Sequence, residues 1–158
     1  QKASGFCRAC PPGRVAKHEV EKSDCEMCPR GRFALPGSAR CTLCPRGTFA
    51  SFGTRICSEC KAGKFAEENG MYACTPCPAG TYSTLGSKSC SNCTGGSVPS
   101  VRQDRCNACD AGYYAQAGDL RCRTCDEGTF AEYNSSECSV CEDGAYAQKG
   151  SAYCAPCP

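Results

Sequence analysis

All twenty cysteines of this 158-residue chain fall in ten C-x-x-C pairs, whose first members are Cys7, Cys25, Cys41, Cys57, Cys74, Cys90, Cys106, Cys122, Cys138 and Cys154. Seven of the nine steps between pairs are 16 residues, one is 18 and one is 17. Sulfur in this arrangement admits four chemistries. Two pairs twelve residues apart have the spacing of a four-sulfur zinc site, but zinc pairing needs alternate gaps to differ, and nothing marks them as different. A redox C-x-x-C of the thioredoxin type occurs once, where a helix starts after a strand; ten copies without that setting read as structural. A cysteine nucleophile needs a base, and His18 is the only histidine, in a charged stretch that reads as surface. The acid pairs Glu67-Glu68, Asp126-Glu127 and Glu142-Asp143 lack a buried setting that would perturb them and read as solvated loops. No catalytic, cofactor or metal site is expected, which leaves the fourth chemistry, a set of disulfides.

If all repeats are alike, the second cysteine of each pair bonds the first of the next. That gives Cys10 to Cys25, Cys28 to Cys41, Cys44 to Cys57, Cys60 to Cys74, Cys77 to Cys90, Cys93 to Cys106, Cys109 to Cys122, Cys125 to Cys138 and Cys141 to Cys154. Cys7 and Cys157 are then left for adjacent repeats or subunits. The competing scheme bonds first to first and second to second, as in Cys41 to Cys57 with Cys44 to Cys60, and connectivity is not fixed by sequence alone.

Composition says why cross-links are needed. Ile, Leu, Val and Phe together number 16 of 158 residues, too few to bury a sizeable apolar core. Cysteine at about one residue in eight is the density of secreted scaffolds that substitute disulfides for a core. Such oxidation implies an extracellular or cell-surface location. No apolar run is long enough for a signal peptide or a membrane span, so Gln1 reads as a processed end or the edge of a fragment. The net charge of +2 gives no case for nucleic acid or for insertion into a membrane. Residues 1–60 carry +5 and residues 61–158 carry −3, a lengthwise polarity that reads first as drift among solvated side chains and second as head-to-tail attraction. Two N-glycosylation sequons, Asn92-Cys93-Thr94 and Asn134-Ser135-Ser136, fit a secreted glycoprotein. Asn134, at a turn tip, is the better acceptor; at Asn92 disulfide formation competes.

The segments between pairs position these groups. Counted from the second cysteine of each pair, position 3 is glycine in all nine complete segments, from Gly13 to Gly144. That regularity points to a positive φ or a close approach that a Cβ would block. Position 5 is aromatic in seven segments, Val15 and Val98 being the exceptions. One ring per repeat is expected to cover the disulfides and supply most of the apolar burial. Position 6 is alanine in seven segments, Ser83 and Pro99 departing. Position 9 is glycine in five, with Gly70 one place later in a longer segment and Asn134 standing in at its own. The expected local structure is a strand at the ring, a turn at the second glycine and a return strand to the next cysteine. No helical periodicity is present. The first and sixth segments, which lack ring and second glycine, are candidates for bends, docking points or insertions.

At CPRGTF and CPAGTY, each followed by glycine and another C-x-x-C, and at CDEGTF, where Asn134 takes that glycine's place, the chain resembles the ephrin-receptor-like cysteine-rich (GCC2/GCC3) repeats. It is similar in pattern to the growth-factor-receptor and tumour-necrosis-factor-receptor modules. The resemblance runs from Cys7 to Pro158 and implies the sequential ladder above. The expected fold is therefore small and disulfide-rich: residues 1–158 form one continuous array, an elongated rod of tandem hairpin-like units of about 16 residues with no helix. The expected role is a non-catalytic structural segment of an extracellular fibre, stalk or surface appendage, joined to further repeats or identical subunits and carrying covalent glycans. The alternative is a receptor or adhesion ectodomain that binds a protein along its edge.

Overall fold

The computed structural model describes residues 9–17 and 24–158. The described residues form nine two-stranded antiparallel hairpins, each with a disulfide, and contain no helix and no closed sheet. The chain divides into two compact units, the first of residues 1–75 and 85–89 and the second of residues 76–84 and 90–158.

In the first unit β1 (Arg14–Ala16) pairs with β2 (Cys25–Met27), β3 (Arg32–Phe33) with β4 (Thr42–Leu43), and β5 (Thr48–Phe49) with β6 (Ser58–Glu59). Strand β7 (Lys64–Phe65) pairs with β8 (Thr75–Pro76), whose last residue opens the second unit. In the second unit β9 (Thr81–Tyr82) pairs with β10 (Ser91–Asn92), β11 (Ser97–Pro99) with β12 (Cys106–Ala108), and β13 (Tyr113–Tyr114) with β14 (Arg123–Thr124). Strands β15 (Thr129–Phe130) and β16 (Ser139–Val140), then β17 (Ala145–Tyr146) and β18 (Ala155–Pro156), complete it.

The strands are very short because each repeat has only a few residues between its turns. The first turn is closed by Arg32 N–H donating to Pro29 C=O (3.2 Å), and the second by Ser38 N–H donating to Leu35 C=O (3.1 Å). The return strand lies inside the C-x-x-C pair, where Phe33 faces Thr42, and not before it as the turn spacing suggested. The shift has a simple cause: the second cysteine's N–H reaches back to the position 3 glycine, Cys44 to Gly31 C=O at 3.0 Å, so the ladder runs across the whole pair.

The interior also differs from expectation. The largest fully buried side chains are cysteines, Cys28, Cys44, Cys60, Cys93, Cys109 and Cys125, and the alanines at position 6 lie beside them. The rings at Phe33, Phe49, Phe65, Tyr82, Tyr114 and Phe130 are only half-buried. Burial in these repeats is thus by sulfur and methyl groups, with the rings covering one side.

Candidate functional site

The repeating disulfide and the junction it sits on are what this chain offers as a working part. The structure contains the sequential ladder: Cys10–Cys25, Cys28–Cys41, Cys44–Cys57, Cys60–Cys74, Cys77–Cys90, Cys93–Cys106, Cys109–Cys122, Cys125–Cys138 and Cys141–Cys154, with Cα separations of 5.6 to 5.8 Å. The first-to-first alternative is absent from it, and the sulfurs so joined are not thiolates free to ligate a metal. Cys157 is free and exposed. Cys7 and His18 lie outside the described residues.

Three backbone hydrogen bonds join one repeat to the next, and they recur in both units. In the first unit Gly31 N–H donates to Ala50 C=O (2.8 Å), Ala34 N–H to Thr54 C=O (3.4 Å) and Gly53 N–H to Cys28 C=O (2.9 Å). In the second unit Gly112, Ala115 and Asn134 donate in the same way to Ala131 (2.7 Å), Ser135 (3.2 Å) and Cys109 (2.9 Å). Position 6 is alanine because its backbone both donates and accepts in this tight junction, where Ala34 and Ala50 are 1% exposed. Gly31 has φ of +79°, and a Cβ there would strike the carbonyl of Gly70, two repeats on. Both reasons for glycine, left-handed backbone and close approach, therefore act together.

The sixth segment keeps the hairpin and the disulfide but departs in detail. Its strands pair over three residues where those of its neighbours pair over two, Pro99 has no N–H to give to the next repeat, and its Cys93–Cys106 disulfide has the geometry of theirs. Gln103 adopts φ of 56° at the second turn and accepts from Ser83 N–H (2.9 Å). Its side-chain Nε2 donates to Pro78 C=O (2.7 Å) and Thr81 C=O (3.2 Å), a polar stitch to the preceding repeat. Nothing in the residue types marked Gln103; a polar residue beside the place of a missing glycine was the available signal. Residues 18–23 of the first segment lie outside the described residues.

The charged groups sit at the surface. The Ser100 hydroxyl, 2.5 Å from Asp104 Oδ1, holds that carboxyl below the usual aspartate range, with Arg102 and Arg105 adding to the effect. The Tyr114 side chain and then Asp119, at 2.7 Å, hold Arg123 further in its charged form. Lys149 lies 3.6 Å from Asp126 of the preceding repeat, both well exposed. An open groove of about 490 Å³ is lined by Phe49, Ser58, Glu59, Lys61 and Ala73. Among the described residues no cluster of three or more His, Cys, Asp or Glu is placed to hold a metal ion. No helix there is long and apolar enough to cross a membrane.

No protein-family profile matches the chain, and no curated protein matches it. The chain is a tandem array of disulfide-bonded hairpin repeats of about 16 residues with nine consecutive disulfides. Its disulfide density suggests an oxidising, secreted environment.

Proposed function

We propose that this chain is a non-catalytic structural segment of an extracellular fibre, stalk or surface appendage, a disulfide-laddered glycoprotein strut of the ephrin-receptor-like (GCC2/GCC3) type. The observation that supports this reading best is the recurrence of the junction: the same three backbone bonds join successive repeats from Gly31 through Gly70 and again from Gly112 through Gly150, each time beside a buried cysteine and alanine. A surface built for one ligand would need a repeat unlike the rest. Backbone bonds that recur along an array suit a part whose work is length and resistance to proteolysis.

In this reading the array continues into further repeats or identical subunits, head to tail. Cys157 and Cys7 would close the remaining rungs. Each such bond joins two thiols and releases two protons and two electrons to a disulfide-donating oxidoreductase of the secretory pathway. Electron microscopy of the native material tests the proposal: long regular fibres or stalks support it, and compact, monodisperse particles overturn it.

One observation favours a second reading, an adhesion or receptor ectodomain. The second-turn tips carry exposed apolar side chains at Phe52, Leu85, Val101 and Tyr133. They occur in some repeats and not others, as a partner-specific edge would require.

A further inference from the structure

We propose that the chain carries an N-linked oligosaccharide on Asn92, and that the second sequon, at Asn134, is a structural turn that remains unmodified. The inference rests on the reading of a secreted chain given above. It reverses the order that turn position alone suggested.

Asn92 lies in β10 at the last position before the second cysteine of its pair, and it is exposed. At other repeats the side chain in that place packs against the second-turn glycine of the following repeat. Met27 Sδ stands 3.2 Å from the Cβ position of Gly53, and Thr124 Cγ2 stands 3.2 Å from that of Gly150. Beside Asn92 the corresponding glycine is Gly118, and nothing lies within 4 Å of its Cβ position. The seat filled elsewhere by a side chain is open here. The Asn92 carboxamide makes no hydrogen bond among the described residues, and neither does the exposed hydroxyl of Thr94. The two side chains that a glycosyl transferase must recognise therefore have no structural duty to abandon.

The Asn134 sequon is engaged at both ends. Asn134 replaces the second-turn glycine with φ of 64°, and its N–H donates to Cys109 C=O. Its Oδ1 stands 2.8 Å from the Cβ position of Gly96, and Ser136 Cβ stands 2.7 Å from that of Gly95. Gly95 does not have the positive φ that its neighbour has, so its missing side chain serves to admit Ser136. Asn134 is exposed as well; what separates the two asparagines is the packing of their side chains.

In the transfer, Asn92 Nδ2 attacks the anomeric carbon of a polyprenyl-diphosphate-linked oligosaccharide. The bond from that carbon to the diphosphate oxygen breaks, the amide nitrogen loses a proton, and polyprenyl diphosphate leaves. Closure of the Cys93 disulfide has to wait for Cys106, thirteen residues later in the chain, which leaves an interval for modification.

The test is to pass the full chain through the secretory pathway of a eukaryotic cell, remove glycans enzymatically in heavy-oxygen water, and read the peptides by mass spectrometry. The expected result is label on Asn92 in most molecules and none on Asn134. Thr94→Ala should abolish the glycan and its mobility shift, while Ser136→Ala leaves both unchanged. A bare Asn92, or Asn134 labelled to the same extent, overturns the assignment. Thiol titration of the same denatured sample keeps the two failures apart. A bare Asn92 in an oxidised chain sinks the glycan alone, whereas a chain full of free thiols sinks the secreted strut.

Discussion

The Cα of Gly31 lies against the carbonyl oxygen of Gly70, two repeats further along the chain, with no room for a Cβ between them. Gly112 and Gly150 repeat the relationship in the second unit. Each repeat is thus held by its neighbour through hydrogen bonds and by the one beyond through close packing of backbone. Stability in such an array is short-ranged, the sum of local terms.

Gly31 and Gly128 form a matched pair for testing this. Both have φ of +79°, but nothing lies within 4 Å of the Cβ position of Gly128. Gly128→Ala should cost about 1–2 kcal/mol from left-handed backbone alone. Gly31→Ala should cost about 1–3 kcal/mol more, because the methyl group meets backbone that cannot yield. Thermal unfolding of the oxidised variants gives both numbers, and equal costs would show that the second contact is unimportant.

Loss of a single rung should be felt locally. Replacing Cys125 and Cys138 together by serine opens a loop with a sequence separation of 13 and should destabilise its repeat by about 3 kcal/mol. Amide hydrogen exchange should then rise in that repeat and the two on either side of it, leaving Gly31 and Gly53 in the first unit protected. Loss of protection throughout the chain would mean that the repeats fold as one cooperative block.

Gln103 should matter through its side chain. Gln103→Ala removes the bonds to Pro78 and Thr81 while keeping a strained turn, at a cost of about 1 kcal/mol or more. Gln103→Gly loses the same bonds but relieves the positive φ, so it should be the milder change. Urea unfolding of the two variants checks the order.

Asp104 gives the chain a small acid sensitivity. Its folded carboxyl titrates below the unfolded one, so the stability it contributes is complete above the unfolded value, about 3.9, and is lost as pH falls through the folded value. The side chain is part-buried at the surface with two arginines close by, and the effect should be slight. Ser100→Ala should remove most of this dependence by returning the carboxyl toward its ordinary range, as carbon-detected NMR titration of Asp104 would show.

Much of this architecture was legible in the chain. The position 3 glycines announced a backbone demand, and each described one has positive φ; Asn134 was readable as a stand-in for glycine, and its φ of 64° agrees. The equal spacing of the cysteines favoured the sequential ladder. What could not be read was anything that depends on another repeat. The contact of Gly31 with Gly70, the service of Gly95 to Ser136 and the reach of Gln103 to Pro78 all join residues 22 or more positions apart. No local pattern encodes them. The rings misled for a related reason: a large apolar side chain is ordinarily interior, but a junction made of backbone bonds is too tight for one, so alanine and cysteine fill it and Phe33 or Phe49 remains half-covered.

The central claim is that sulfur bridges stand in for the apolar core this chain lacks. The most direct measurement is an amide proton–nitrogen NMR spectrum of the chain before and after complete reduction at neutral pH. The account predicts a dispersed spectrum for the oxidised chain that collapses to narrow, random-coil shifts when the thiols are free. A reduced chain that keeps its dispersed spectrum would contradict it.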